Sequence, residues 1–115
     1  MRRGDICFID LDPARGAEAR KSRPAVIVSN DGANTTATRL GRGVVTVVPV
    51  TSNVERVFPF QVLLPAKTTG LPADSKAQAE QVRSVDVERV QHRVGTVPAE
   101  LMRQLDDALR LHLAI

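Results

Sequence analysis

Tryptophan and tyrosine are absent from the 115 residues and phenylalanine occurs three times. A core must therefore come from branched aliphatic side chains, and extensive stacking of a ligand on aromatic rings is not expected. Cysteine is nearly absent too: Cys7 stands alone, which excludes an internal disulfide framework and any CxxC pair and suits a reducing compartment. The two histidines, His92 and His112, form no recognisable metal cluster, and a paired-histidine nuclease mechanism has no support. No metal or cofactor is expected. No apolar run reaches membrane-spanning length, and Asp5, Asp10 and Asp12 interrupt the apolar residues behind the basic start Met1-Arg2-Arg3. A soluble cytoplasmic protein without membrane association is the resulting expectation. A P-loop, a dinucleotide fingerprint, a nucleophile elbow and internal repeats are all missing.

Lysine and arginine total 16 against 13 acidic residues, a formal charge of +3 with a pI near 9.8. That balance permits phosphate binding, and the distribution of charge has to decide whether it occurs. The length predicts a single domain over residues 1–115, large enough for a compact core that dimerisation would enlarge.

The strongest local pattern is Arg23-Pro24-Ala25-Val26-Ile27-Val28, a cation and a proline ahead of a branched apolar run. Proline is tolerated at a strand's start and Val26, Ile27 and Val28 suit a sheet, so the stretch predicts a central strand with a cationic entrance. Before it, Cys7, Ile9 and Leu11 alternate with Ile6, Phe8 and Asp10, which predicts a short strand between two packed surfaces. Asp12-Pro13-Ala14-Arg15-Gly16 ends that strand with turn chemistry, and the segment through Ser22 reads as an exposed loop. Asn30-Asp31-Gly32 predicts a turn. Residues 34–40 form either one short helix or irregular chain, because Thr35, Thr36 and Thr38 weaken a helix. Val44 to Val50 is a second strong strand, buried on both faces, with Pro49 marking an edge, bulge or end.

Sheet-like chemistry resumes over residues 57–64, most reliably after Pro59, and residues 67–75 read as a polar connection. Lys76 to Val85 predicts one or two short strands, with Gln78, Glu80 and Val82 sharing a face in one register. Asp86 to Arg89 is a short turn or helical segment before a small strand around Val90 to Val97. Pro98 opens the clearest helix. Its apolar stripe runs Leu101, Leu105, Ala108 and His112, broadened by Met102, Leu109 and Ile115, which gives His112 a structural place and leaves His92 at the surface.

Two loop regions carry candidate chemistry. Arg15, Arg20, Lys21 and Arg23 cluster, opposed from Arg15 onward only by Glu18, either as a solvated connection with an internal ion pair or as a phosphate-binding loop beside a rigid strand. Thr51-Ser52-Asn53 follows the second strand and can cap a turn or hold phosphate or ribose oxygens.

In order and spacing, Gly4-Asp5-Ile6, Asp10-Leu11-Asp12-Pro13-Ala14-Arg15-Gly16, Glu18, Ser22-Arg23-Pro24-Ala25-Val26-Ile27-Val28-Ser29-Asn30, Val48-Pro49-Val50-Thr51-Ser52, Pro59-Phe60-Gln61-Val62 and Glu80-Gln81-Val82-Arg83-Ser84-Val85-Asp86 together resemble the MazF/PemK/Kid family of small endoribonuclease toxins over almost the whole chain. The resemblance implies a mainly β protein with short helices, a compact SH3-like, plasmid-maintenance-toxin barrel with a C-terminal helix. It also implies a homodimer inhibited by a cognate antitoxin. Its expected activity is metal-independent, sequence-specific cleavage of single-stranded RNA to 2′,3′-cyclic phosphate and 5′-hydroxyl ends, with translation and growth arrested. By resemblance, Arg23 is the matching catalytic arginine and Thr51 the matching active-site threonine, while Glu18 and Glu80 fall at acidic positions that vary in the family. The loop histidine of Kid-like members is missing.

Internal attack by a 2′-hydroxyl needs a proton acceptor, donors for the phosphoryl transition state and a proton for the departing 5′ oxygen. Arg23 offers a fork of donors, and its very high pKa suits charge stabilisation better than proton donation. Glu18 or Glu80 can accept the proton while Thr51 holds a phosphate oxygen. Arg15, Arg20, Lys21, Arg42, Ser52, Gln78 and Arg83 are candidate RNA contacts. Two nonenzymatic readings compete: a nucleic-acid-binding regulator in which Arg23 and Thr51 contact phosphate without cleavage, and a partner-binding module using apolar faces near Ile6, Phe8 or Met102.

Overall fold

The computed structural model describes residues 1–19 and 21–115. Its framework is seven strands, β1 (Asp5–Asp10), β2 (Ser22–Ile27), β3 (Val44–Thr51), β4 (Gln61–Leu64), β5 (Ser75–Gln78), β6 (Arg83–Asp86) and β7 (Val90–Thr96). They join antiparallel in the order β4-β5-β3-β2-β1-β7, with β6 paired to β3. The described residues also form three α-helices, α1 (Asp31–Leu40), α2 (Ala66–Thr69) and α3 (Ala99–Leu113), and two 3₁₀ turns at Ala79–Gln81 and Val87–Arg89. The mainly β architecture with short helices and a C-terminal helix is the expected one.

β2 is central, flanked by β1 and β3, as its valine and isoleucine content requires. Its side chains feed two cores. Val26 joins Ile6, Val48, Leu64 and Leu105 beneath α3, whereas Ala25 and Ile27 join Cys7, Ile9, Leu11, Val45 and Val47 on the other side. β1 divides in the same way, which is the two-faced burial expected of it. Pro49 falls where β3 changes partner: Val44 to Val47 pair with β6, and Val50 and Thr51 pair with β5. A residue without an N–H is tolerated at such a break in a ladder.

Several local expectations are corrected. Asn30-Asp31-Gly32 is a helix start rather than an isolated turn, and α1 is continuous to Leu40. The Asn30 side chain accepts the Ala33 N–H at 2.8 Å, Asp31 lies in the first turn and Gly41 closes the helix at φ +65°. Thr35, Thr36 and Thr38 are exposed, so their modest rotamer cost is outweighed by the caps and by buried Asn34, whose amide donates to Ser29 O at 2.9 Å. Residues 67–75 are not wholly irregular, since α2 lies at their start and its Gly70 cap has φ +85°. Gln78, Glu80 and Val82 do not share a strand face, because the chain breaks into a 3₁₀ turn at Ala79–Gln81. On α3 the buried stripe is Leu105 and Ala108; His112 is exposed and Ile115 is 82% exposed, beyond the helix end. The last helical turn lies outside the main core, so periodicity continues where burial does not.

Candidate functional site

The site is built from the ends of β2 and β3. In β2, Arg23 pairs with Ile9 of β1, and Pro24 with Phe8. On its other edge Ala25 pairs with Pro49, a register that, continued by two residues, sets Arg23 opposite Thr51. These strand ends border a cleft of about 390 Å³ whose polar lining includes Lys21, Ser22, Arg23, Thr51 and Ser52 and whose apolar lining includes Phe8, Pro24, Val50 and Leu71. Arg23 is half-buried, and its backbone is paired with Ile9 of β1.

Thr51 caps its turn and also lines the cleft. Its Oγ1 accepts the Asn53 N–H at 3.3 Å, so it does cap the turn. A hydroxyl that accepts there still has its own proton to donate into the cleft. Lys21 has φ +66°, in the left-handed region that a non-glycine residue occupies at a cost of about 1–2 kcal/mol. It is held there by its N–H donating to Asp12 Oδ1 at 2.8 Å and its carbonyl accepting the Leu11 N–H at 3.1 Å. Backbone conformations of this kind concentrate at ligand sites.

The acidic candidates lie outside this lining. Glu18 is exposed in a closed turn: its Oε1 accepts the Arg15 N–H at 2.5 Å while its own N–H donates to Arg15 O at 3.0 Å. Glu80 is half-buried in the 3₁₀ turn, its Oε2 accepting from Gln61 Nε2 at 2.6 Å. Glu80 Oε1 and Gln78 Oε1 are buried without a hydrogen-bond donor among the described residues. Arg15 is exposed on the loop and Arg42 at the end of α1, with neither on the cleft. Arg83 is half-buried, its Nη1 donating to Leu11 O at 3.3 Å. Arg20 lies outside the described residues.

Three features escaped sequence reasoning. Arg89 Nη1 donates to the carbonyls of Asp10 and Asp12, pinning the start of the first loop. Gln81 grips the same loop from the other side, accepting from Ala19 N at 2.9 Å and donating to Ala17 O at 3.0 Å. No local pattern could reveal contacts across more than 60 residues. Beyond Thr51, Phe58 and Phe60 stack with centroids 5.4 Å apart and Arg56 lies 5.4 Å over the Phe58 ring. The Phe-Pro-Phe triplet was the available signal for that stack.

Among the described residues, no group of three or more His, Cys, Asp or Glu side chains is arranged to hold a metal ion, and no helix is long and apolar enough to cross a membrane. Burial is the first cause that pushes the Cys7 thiol above its ordinary value, with Asp5 adding to it. Such a thiol is a poor nucleophile.

The family model for the PemK-like, MazF-like toxin of type II toxin-antitoxin systems matches residues 2–113. The chain is 66% identical over 113 residues to endoribonuclease MazF9 of Mycobacterium tuberculosis (strain ATCC 25618 / H37Rv), covering 98% of this chain and 96% of that protein. Its fold is similar to the crystal structure of MazF from Deinococcus radiodurans, with a TM-score of 0.83, 25% identity and coverage of 100% and 97% of the two chains. It is also similar in fold to a mycobacterial endoribonuclease solved with its cognate antitoxin, with a TM-score of 0.77, 21% identity and coverage of 100% and 96%. The sheet and terminal helix thus have the SH3-like, PemK-like barrel topology, and the chain belongs to the PemK-like, MazF-like toxin family of type II toxin-antitoxin systems.

Proposed function

We propose that residues 1–115 form one toxin domain that cleaves single-stranded RNA at specific sequences without a metal ion, leaving 2′,3′-cyclic phosphate and 5′-hydroxyl ends and so arresting translation and growth. The observation that carries this reading is the cleft shared by Lys21, Arg23, Thr51 and Ser52. A guanidinium, an ammonium and two hydroxyls converging at rigid strand ends suit a phosphodiester that gains charge in the transition state. The 2′ oxygen attacks phosphorus, the bond from phosphorus to the 5′ oxygen breaks, and the departing oxygen takes a proton from solvent. Arg23 stabilises the phosphoryl oxygens and Thr51 holds one of them. Glu18 is the acceptor assigned to the 2′-hydroxyl proton because it is exposed on the loop that leads into Arg23, whereas Glu80 is half-buried in the 3₁₀ turn; each carboxylate has one oxygen already accepting a hydrogen bond, from Arg15 N–H and from Gln61 Nε2. Arg15, Arg20 and Lys21 supply charge along the RNA path, and the Arg56 and Phe58 stack provides one face for a base. A homodimer and an inhibitory antitoxin complete the proposal, the latter supported by the antitoxin complex of the mycobacterial endoribonuclease. The buried thiol of Cys7 suits the cytoplasm.

Purified protein is incubated in EDTA with a ladder of defined single-stranded RNAs, and cut positions and termini are read by mass spectrometry. Cyclic-phosphate ends at a recurring sequence are expected. Binding without any product across the library would instead support the regulator.

A further inference from the structure

The loop between β1 and β2 has little apolar anchorage. Leu11 and Ala19 are buried at its two ends, while Asp12, Pro13 and residues 15–18 are exposed. Local bonds shape the Arg15 to Glu18 turn. The Gln81 carboxamide ties the segment around Glu18 to the 3₁₀ turn. Its oxygen accepts the Ala19 N–H and its nitrogen donates to the Ala17 carbonyl, so one side chain grips the backbone on both sides of Glu18. Gln81 stands on the 3₁₀ turn between β5 and β6 and belongs to neither core cluster. Arg83 and Arg89 hold the start of the loop at Asp10 to Asp12, so losing the two Gln81 bonds loosens residues 17–19 and leaves the sheet's apolar contacts intact.

We propose that Gln81 is a positioning residue for RNA cleavage, holding residues 17–19 so that the Glu18 carboxylate meets the 2′-hydroxyl of a phosphodiester bound at Arg23 and Thr51. This inference rests on the nuclease reading above. A carboxylate on an unheld loop samples many positions, and misplacing a catalytic group by about 1 Å can cost roughly a hundredfold in rate. Arg23, Thr51 and Ser52, which hold the phosphate in this reading, lie outside the loop, so the larger effect belongs in kcat and KM changes only as far as the loop cations contribute to binding.

The test compares wild type, Gln81→Leu, Gln81→Glu and Glu18→Gln on one cleavable RNA, with amide hydrogen exchange at Ala19 as a readout independent of activity. Gln81→Leu is expected to lose Ala19 protection, lower kcat about tenfold to a hundredfold and leave KM within about threefold. Gln81→Glu keeps the acceptor for Ala19 and loses the donor to Ala17, so its loss is intermediate; it also decides the matter if Gln81→Leu fails to fold. The Gln81→Leu/Glu18→Gln double variant is expected to be no slower than Glu18→Gln alone, which a merely structural role would not produce. A kcat within twofold of wild type for folded Gln81→Leu, or for Gln81→Glu in its place, overturns the inference and spares the nuclease reading. Multiplicative losses in the double variant do the same. Absence of cleavage by wild type overturns that reading and this inference with it.

Discussion

Arg23 holds its place because Pro24 and the pairing with Ile9 of β1 leave its backbone little freedom, and the role proposed for it turns on geometry as much as on charge. Arg23→Lys keeps the cation and removes the planar fork, so kcat for RNA cleavage is expected to fall about a hundredfold with the melting temperature little changed. Single-turnover kinetics with a calorimetric scan checks both. Cys7 makes the opposite case, a reactive residue type silenced by its surroundings: at 2% exposure with a raised thiol pKa, it is expected to resist alkylation at about pH 8 in the folded protein and to react fully in denaturant. Mass spectrometry of protein treated with iodoacetamide measures the difference. Sequence already singled out Arg23, Thr51 and Glu18, because a residue type beside a strand end is a local fact. The surroundings of the two candidate carboxylates are not local facts: Glu18 is exposed on the first loop, whereas Glu80 is half-buried in the 3₁₀ turn beside Gln61, and neither lines the cleft.

Among the elements, β7 carries the tightest steric condition. A Cβ on Gly95 would overlap the carbonyl oxygen of Thr69, at the end of α2, and would crowd the carbonyl carbon behind it. The register of β1 against β7 shifts at this point. The obstacle is backbone, which yields less readily than a side chain, so Gly95→Ala is expected to destabilise the fold by about 2–3 kcal/mol, read by urea denaturation. The glycine stood in plain view within a strand-like stretch, a hint of close approach, but the approaching chain lies some 26 residues upstream. α1 was half legible for a related reason. Its caps are local and readable, while Asn34 is fully buried with its amide donating back to the Ser29 carbonyl, a contact that side-chain propensities do not register.

At the scale of the molecule, Arg3 ties together parts of the chain that local patterns keep separate. Its N–H donates to Asp31 Oδ1 at 2.7 Å, its Nε to Val28 O at 2.9 Å, and its Nη2 meets Asp106 of α3 at 2.6 Å. The Arg3 N–H is the main cause that holds the Asp31 carboxyl below its ordinary value of 3.8. A depressed folded-state pKa contributes stability that is complete above the unfolded value and lost as pH falls through the folded one. Wild type is therefore expected to be more stable than Asp31→Asn at neutral pH, and the two are expected to converge below about pH 4. Denaturant unfolding across that range checks the sign.

By itself, the sequence determined the mainly β class, the central Arg23-Pro24 strand, the strand after Gly43, the terminal helix and the family. Each of these rests on short-range periodicity, turn chemistry or the order of motifs along the chain. Tertiary structure decided the rest: that Thr51 and Arg23 line one cleft, that the apolar stripe of α3 stops short of His112, and that Gln81, Arg83 and Arg89 clamp the loop carrying Glu18. Hydrogen bonds and packing between residues 60 or more positions apart leave no periodic trace, because their geometry exists only once the sheet has formed.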